Sequence, residues 1–158
     1  MDSTPRIETT ALAAARALRR AFDARLAPLE LNLSSASALS FLREAGPLSQ
    51  TQLAELLHIG RASTGTLIDD LEAKRLVVRG ADATDRRAWR IELTVAGVEK
   101  ADAFDAIDKG LRSQFRRGMT RDERHVLADL LVRLESNAEA ATAKPSVAKS
   151  RASRSSRA

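Results

Sequence analysis

The chain has 158 residues, no cysteine, two histidines and a formal net charge of +5. That length suits one domain with a useful core, and without cysteine there is no disulfide, no thiolate zinc site and no cysteine redox switch. His58 and His125 lie too far apart in sequence to build a His-rich metal site in one subunit, so neither metal nor cofactor is expected.

No apolar run reaches the length of a membrane span. Met1-Asp2-Ser3-Thr4-Pro5 lacks the basic-then-apolar order of a signal peptide, so a soluble cytoplasmic protein is expected. From about Glu8 to Leu29, the residues Leu12, Ala15, Leu18, Phe22, Leu26 and Leu29 recur at helical spacing, with Arg16, Arg19, Arg20 and Arg25 off that stripe. Pro28 falls in the last turn or marks its end. Ser34 is expected to cap a second helix carrying Leu39, Phe41 and Leu42, which Gly46-Pro47 stops.

A capping box opens the third helix, with Ser49 facing the backbone and Gln52 reaching back. Leu53, Leu56 and Leu57 share its inner face, and Ala54 is small enough for another helix to approach. Ile59 plugs the turn, and Gly60 can begin the next helix. That helix, about Arg61 to Lys74, is expected to bury Thr64, Leu67, Ile68 and Leu71. Ala62, Thr66, Asp69 and Ala73 then point outward, with Ser63, Gly65 and Asp70 on the flanks. Small and hydroxylated side chains suit close approach to a DNA groove, though an ordinary solvated surface helix would look the same.

Leu76-Val77-Val78-Arg79 reads as a strand. After Gly80 the stretch Ala81 to Arg87 has no apolar anchor and should project. Trp89, Ile91 and Leu93 then alternate with Arg90, Glu92 and Thr94, as in a half-buried strand. Arg86 and Arg87 at a hairpin tip have no core role, and guanidinium groups there suit a narrow minor groove. Asp85 is read as their orienting partner. A solvated charged loop is the alternative, and the preceding helix pair favours DNA.

Thr94 caps a long helix from about Val95 to Arg117, with Val98, Ala101, Phe104, Ile107, Leu111 and Phe115 on one side. Thr120 and Glu123 form another capping box before a last helix to about Ala141, striped by Val126, Leu127, Leu130, Leu131 and Leu134. These flanking helices carry more apolar stripe than one small lobe can cover, which points to a partner chain. Beyond Glu139 there are five cations and no acid, equal to the whole net charge of +5, so the rest of the chain is neutral. This tail, 142–158, is expected to be disordered, either as a solubilising segment or as a nonspecific phosphate-binding arm.

Leu53-Ala54-Glu55-Leu56-Leu57, Leu71-Glu72-Ala73-Lys74, Asp85-Arg86-Arg87 and Leu93-Thr94-Val95-Ala96-Gly97 resemble the MarR family of bacterial transcriptional regulators in order and spacing. The likeness extends upstream through Leu31-Asn32-Leu33-Ser34 and Gly46-Pro47-Leu48, so it covers about Leu29 to Gly97. It implies a homodimer with a winged helix-turn-helix in each subunit. It further implies a pseudo-palindromic operator, usual repression, and release by a small, often aromatic or phenolic, ligand or by thiol oxidation. The absent cysteines remove that last branch. Thr66 and Asp70 stand where many relatives carry basic residues, while Arg75 and His58 replace usual glycines.

The expected fold is mainly α (α+β): one MarR-like domain over 1–141. Its winged helix-turn-helix lobe with a small β-hairpin wing covers about 34–94, and 8–29 and 95–141 form an all-helical dimerisation lobe. The expected activity is sequence-specific binding of double-stranded DNA as a homodimeric repressor, released by a small effector; enzymatic activity and membrane association are not expected. Expected DNA-binding residues are Gln50, Arg61, Ala62, Ser63, Gly65, Thr66, Arg79, Asp85, Arg86 and Arg87. Ala62, Ser63, Gly65 and Thr66 lie nearest the bases, Gln50 and Arg61 anchor phosphates, and Arg86 enters the minor groove. No motif identifies an effector pocket, beyond its expected place between the two lobes. A winged-helix protein-interaction module and a nonspecific nucleoid-type binder stay open as alternatives.

Overall fold

The computed structural model describes residues 6–81 and 89–142. Asp85, Arg86, Arg87 and the tail beyond Thr142 lie outside the described residues. The order is α1 (Ile7–Leu26), a 3-10 turn (Ala27–Leu29), α2 (Leu33–Ala45), α3 (Gln50–Leu57) and α4 (Arg61–Ala73). There follow β1 (Val77–Ala81), β2 (Trp89–Leu93), α5 (Val95–Phe115) and α6 (Arg121–Thr142). This is the mainly helical winged architecture that the pattern predicts. The chain divides after Phe115 into two compact units.

In the first unit, α2 is the central helix. Ala36, Ala38, Leu39 and Leu42 are buried with Leu53, Ile68, Leu71, Val77, Ile91, Ala101 and Phe104 in one core. Alanines at two core positions of α2 let its neighbours approach closely. The cap of α2 differs from expectation: Asn32, not Ser34, accepts the Ser35 N–H at 2.9 Å. Asp23 from α1 takes the Leu33 N–H at 2.8 Å, so a tertiary contact starts the helix one position before Ser34. Likewise the first helix ends at Leu26, three residues early, because Ala27-Pro28-Leu29 tightens into a 3-10 turn.

The capping box of α3 forms as expected: Gln52 N–H donates to Ser49 Oγ at 3.2 Å, and Ser49 N–H to Gln52 Oε1 at 2.9 Å. Leu53 and Ala54 are buried, whereas Leu56 is exposed rather than on the inner face. His58 ends α3 in the left-handed region (φ 52°), and Arg75 does so after α4 (φ 58°). At α4 the Arg75 N–H bonds Glu72 O at 2.9 Å and the Leu76 N–H bonds Leu71 O at 2.9 Å, a Schellman closure. Arg75 therefore keeps the usual place of glycine instead of shifting it, at a cost of about 1–2 kcal/mol.

The two strands pair antiparallel, Val77 with Leu93 through Ala81 with Trp89. Strand β1 begins one residue later and runs two residues further than expected. Leu48 bridges to Ile91 and extends the hairpin's pairing back to the α2–α3 connection. Ile91 is buried, but Trp89 is 62% exposed rather than half-buried, because the hairpin has passed the edge of the core by that point.

Thr94 caps α5, accepting the Gly97 N–H at 3.1 Å. A Cβ on Gly97 would lie 2.0 Å from the Leu76 carbonyl oxygen, so the helix approaches the β1 entry as closely as only glycine allows.

The second unit holds α6. Thr120 N–H bonds Glu123 Oε2 at 2.8 Å and Glu123 N–H bonds Thr120 Oγ1 at 3.2 Å, completing the second expected capping box. The Thr120 backbone bond, then its hydroxyl, holds the Glu123 carboxyl below its ordinary pKa. Val126, Leu127, Leu130 and Leu131 along α6 are exposed.

Candidate nucleic-acid interface

Helices α3 and α4 are joined by a three-residue turn, His58-Ile59-Gly60. Ile59 is half-buried in that turn, and its N–H bonds back to Ala54 O at 3.2 Å. Gly60 serves as the N-cap of α4 with extended backbone. Thr64, Ile68 and Leu71 are buried on the inner face, as ~100° steps require. Thr64 satisfies its hydroxyl by donating to Gly60 O at 3.0 Å.

Arg61, Ala62, Ser63 and Thr66 are exposed. Three of these four side chains are small, so the first turns of α4 form a low ridge with one cation at its start. The Thr66 hydroxyl donates to Ala62 O at 3.3 Å. No protein hydrogen bond engages the Ser63 hydroxyl among the described residues.

Gln50 and Gly65, both expected at DNA, also meet each other where α3 crosses α4. Gln50 Nε2 donates to Arg61 O at 3.0 Å. A Cβ on Gly65 would sit 3.1 Å from that same Gln50 nitrogen. The structure thus brings Gln50, Arg61 and Gly65 together at the α3–α4 contact, where the glycine leaves room for the amide that sets helix spacing.

Arg79 is also engaged. Its Nη2 pairs with Asp69 and its Nη1 with Glu72, both on α4. The hydrogen bond with Asp69, opposed by partial burial and helped by the charge of Glu72, raises the guanidinium pKa above its ordinary value. Strand alternation was the available signal: Arg79 lies on the inward face with Val77 rather than the outward face with Val78. Asp70, beside this pair, is held by Lys74 Nζ at 2.8 Å, which also donates to Glu30 O at 3.0 Å. Each carboxylate in the second half of α4 is therefore paired within the chain, three acids sharing two cations.

Arg43 on α2 pairs with Asp102 and Asp105 on α5. Next to it lies a cavity of about 640 Å³ whose walls include Phe22, Ser40, Phe41, Phe104 and Asp108. Phe22 and Phe104 pack with ring centroids 6.3 Å apart along one side. Its size is within the range of small-molecule pockets, about 300–1,000 Å³. Among the described residues, no helix is long and apolar enough to cross a membrane.

Residues 29–88 match the MarR family. Several solved structures share the fold. S. aureus MepR, crystallised as a DNA complex, is 20% identical with a TM-score of 0.78, over 84% of this chain and 96% of that one. The transcriptional regulator SlyA is 25% identical with a TM-score of 0.77, over 85% and 94%. Bordetella bronchiseptica BpsR, whose DNA binding is regulated by 6-hydroxynicotinic acid, is 19% identical with a TM-score of 0.77, over 85% and 96%. Residues 29–88 are thus a MarR-family segment, set in a chain that shares the winged-helix fold of these transcriptional regulators.

Proposed function

We propose that the protein is a homodimeric, sequence-specific DNA-binding repressor whose operator affinity is lowered by a small ligand. The low exposed ridge of Ala62, Ser63 and Thr66 at the start of α4 carries this reading. Such a ridge can enter a major groove deeply and offer hydroxyls to base edges, with Arg61 at a phosphate. Arg86 then reaches the minor groove, with Asp85 and Arg87 beside it. MepR in its DNA complex supports the DNA partner, and BpsR supports a small effector. The aromatic-walled cavity beside α2 and α5 is our candidate effector pocket.

Dimerisation is supported by large apolar side chains left uncovered on α1, where Leu12 is 59% and Leu18 41% exposed, and by the α6 stripe. Paired helix-turn-helix units normally address half-sites about 34 Å apart. Sedimentation equilibrium at micromolar concentration should give twice the 17.1 kDa chain mass. A concentration-independent monomer would remove the dimer from this reading.

Selection of bound fragments from genomic DNA supplies a specific duplex, and a scrambled duplex of equal length and composition supplies the reference. The protein should prefer the selected duplex, and Ser63→Ala with Thr66→Ala should erode that preference while sparing the salt dependence. Truncation after Ala141 should do the reverse, flattening the log–log salt slope by up to ~0.9 for each phosphate that the tail neutralises. Loss of preference on truncation, with the double substitution inert, would reverse these assignments.

A further inference from the structure

Resting on the DNA-binding reading, the geometry points to Arg79 as a positioning residue: it locks the β-hairpin to the second half of α4 through Asp69 and Glu72, and so sets the angle between wing and recognition helix.

Three observations carry this. Arg79 pairs across the hairpin with Ile91, one of the most deeply buried residues, so its side chain starts from the inward face of the sheet. Its two terminal nitrogens each take a different carboxylate, seven and ten residues back along the chain on one helix. A planar fork held at both prongs fixes orientation as well as distance, which a lysine ammonium cannot do. Finally, the arrangement adds an oriented polar link between the two elements that a winged helix presents to DNA, beside the apolar core that Ile68 and Leu71 of α4 share with Val77 and Ile91 of the hairpin. Val78, the preceding residue on β1, faces outward and is 47% exposed.

The consequence concerns charge as well as shape. With both prongs occupied, Arg79 is withdrawn from the DNA backbone, and Asp69 and Glu72 are screened from it. A direct phosphate contact by Arg79 would require breaking both pairs.

The test uses Arg79→Gln, Arg79→Lys and the double variant Asp69→Asn with Glu72→Gln in the full chain. Each is titrated with the selected and the scrambled duplex across a salt series. Arg79→Gln should lower affinity for the selected duplex on the order of tenfold, leaving the salt slope and the scrambled-duplex affinity unchanged. Arg79→Lys should fail to rescue. The double variant should lose preference similarly while its slope steepens, because the freed guanidinium becomes available to phosphate. Combining Arg79→Gln with the double variant should lower the preference no further than Arg79→Gln alone.

Trp89, the single tryptophan of the chain, lies on this hairpin and gives a readout without DNA. Its time-resolved anisotropy should decay faster in Arg79→Gln and in the double variant. An Arg79→Gln slope flattened by about 0.9, the value of one phosphate, with preference intact, would make Arg79 a phosphate ligand and overturn the proposal. Unchanged preference together with unchanged anisotropy would make it an inert surface bridge, overturning it equally. If the wild type prefers no duplex but the anisotropy still responds, the DNA-binding reading falls while the clamp stands.

Discussion

Gly97→Ala is expected to lower the melting temperature by about 6–12 °C. The added Cβ would lie 2.0 Å from the Leu76 carbonyl oxygen, and the next contact is Leu76 C at 3.1 Å. Both are main-chain atoms, so no side chain can swing aside. That carbonyl also accepts the Thr94 N–H at 3.0 Å, so the helix cannot back away without loosening its own start. Overpacking against backbone costs about 3 kcal/mol, and each kcal/mol moves the midpoint of a protein this size by about 2–4 °C. Thermal unfolding followed by circular dichroism, at fixed protein concentration, measures it. A shift under about 2 °C would mean that α5 and β1 separate freely.

Arg86→Ala is expected to weaken binding to the selected duplex by roughly two to four orders of magnitude, without altering the fold or the oligomeric mass. A charge-assisted hydrogen bond contributes about 1.5–3 kcal/mol, and a dimer would lose it twice, which converts to that range. Arg86 lies outside the described residues, so this expectation rests on its place in the Asp-Arg-Arg motif and on the minor-groove preference of guanidinium groups. Isothermal titration at moderate salt decides the matter. Unchanged affinity would reduce the wing to a solvated loop.

Legibility in the sequence followed the range of the forces involved. The buried face of α4 was readable because Thr64, Ile68 and Leu71 repeat at helical spacing, and helix burial obeys that spacing wherever a core exists. Both capping boxes were readable because a cap is closed by residues three apart. Asn32 was missed in favour of Ser34 because both are good capping residues, and the choice between them was made by Asp23, ten residues upstream of Leu33. Alternation correctly assigned Ile91 inward, yet it carries no information about where a core ends, and Trp89 lies beyond that edge. Arg79 and Gln50 were expected at DNA because each is a free polar group when only its neighbours along the chain are considered. Their partners, Asp69 with Glu72 and the Arg61 carbonyl, are set by tertiary placement.

The attachments of α5 have a mechanical consequence. Thr94 Oγ1 donates to Arg75 O at 2.7 Å, Gly97 presses on Leu76, Lys100 Nζ donates to Leu29 O at 3.0 Å, and Asp102 and Asp105 hold Arg43. Successive turns of one helix are thereby stitched to the end of α4, the 3-10 turn and the last turn of α2. With those attachments the first half of α5 would move as the shaft of a lever whose head is the helix-turn-helix and hairpin. A torque applied further along that shaft reaches α4 as rotation of the entire head, with the internal spacing of α3, α4 and hairpin preserved. Regulation through α5 would then act by re-aiming an intact reading head and not by deforming it.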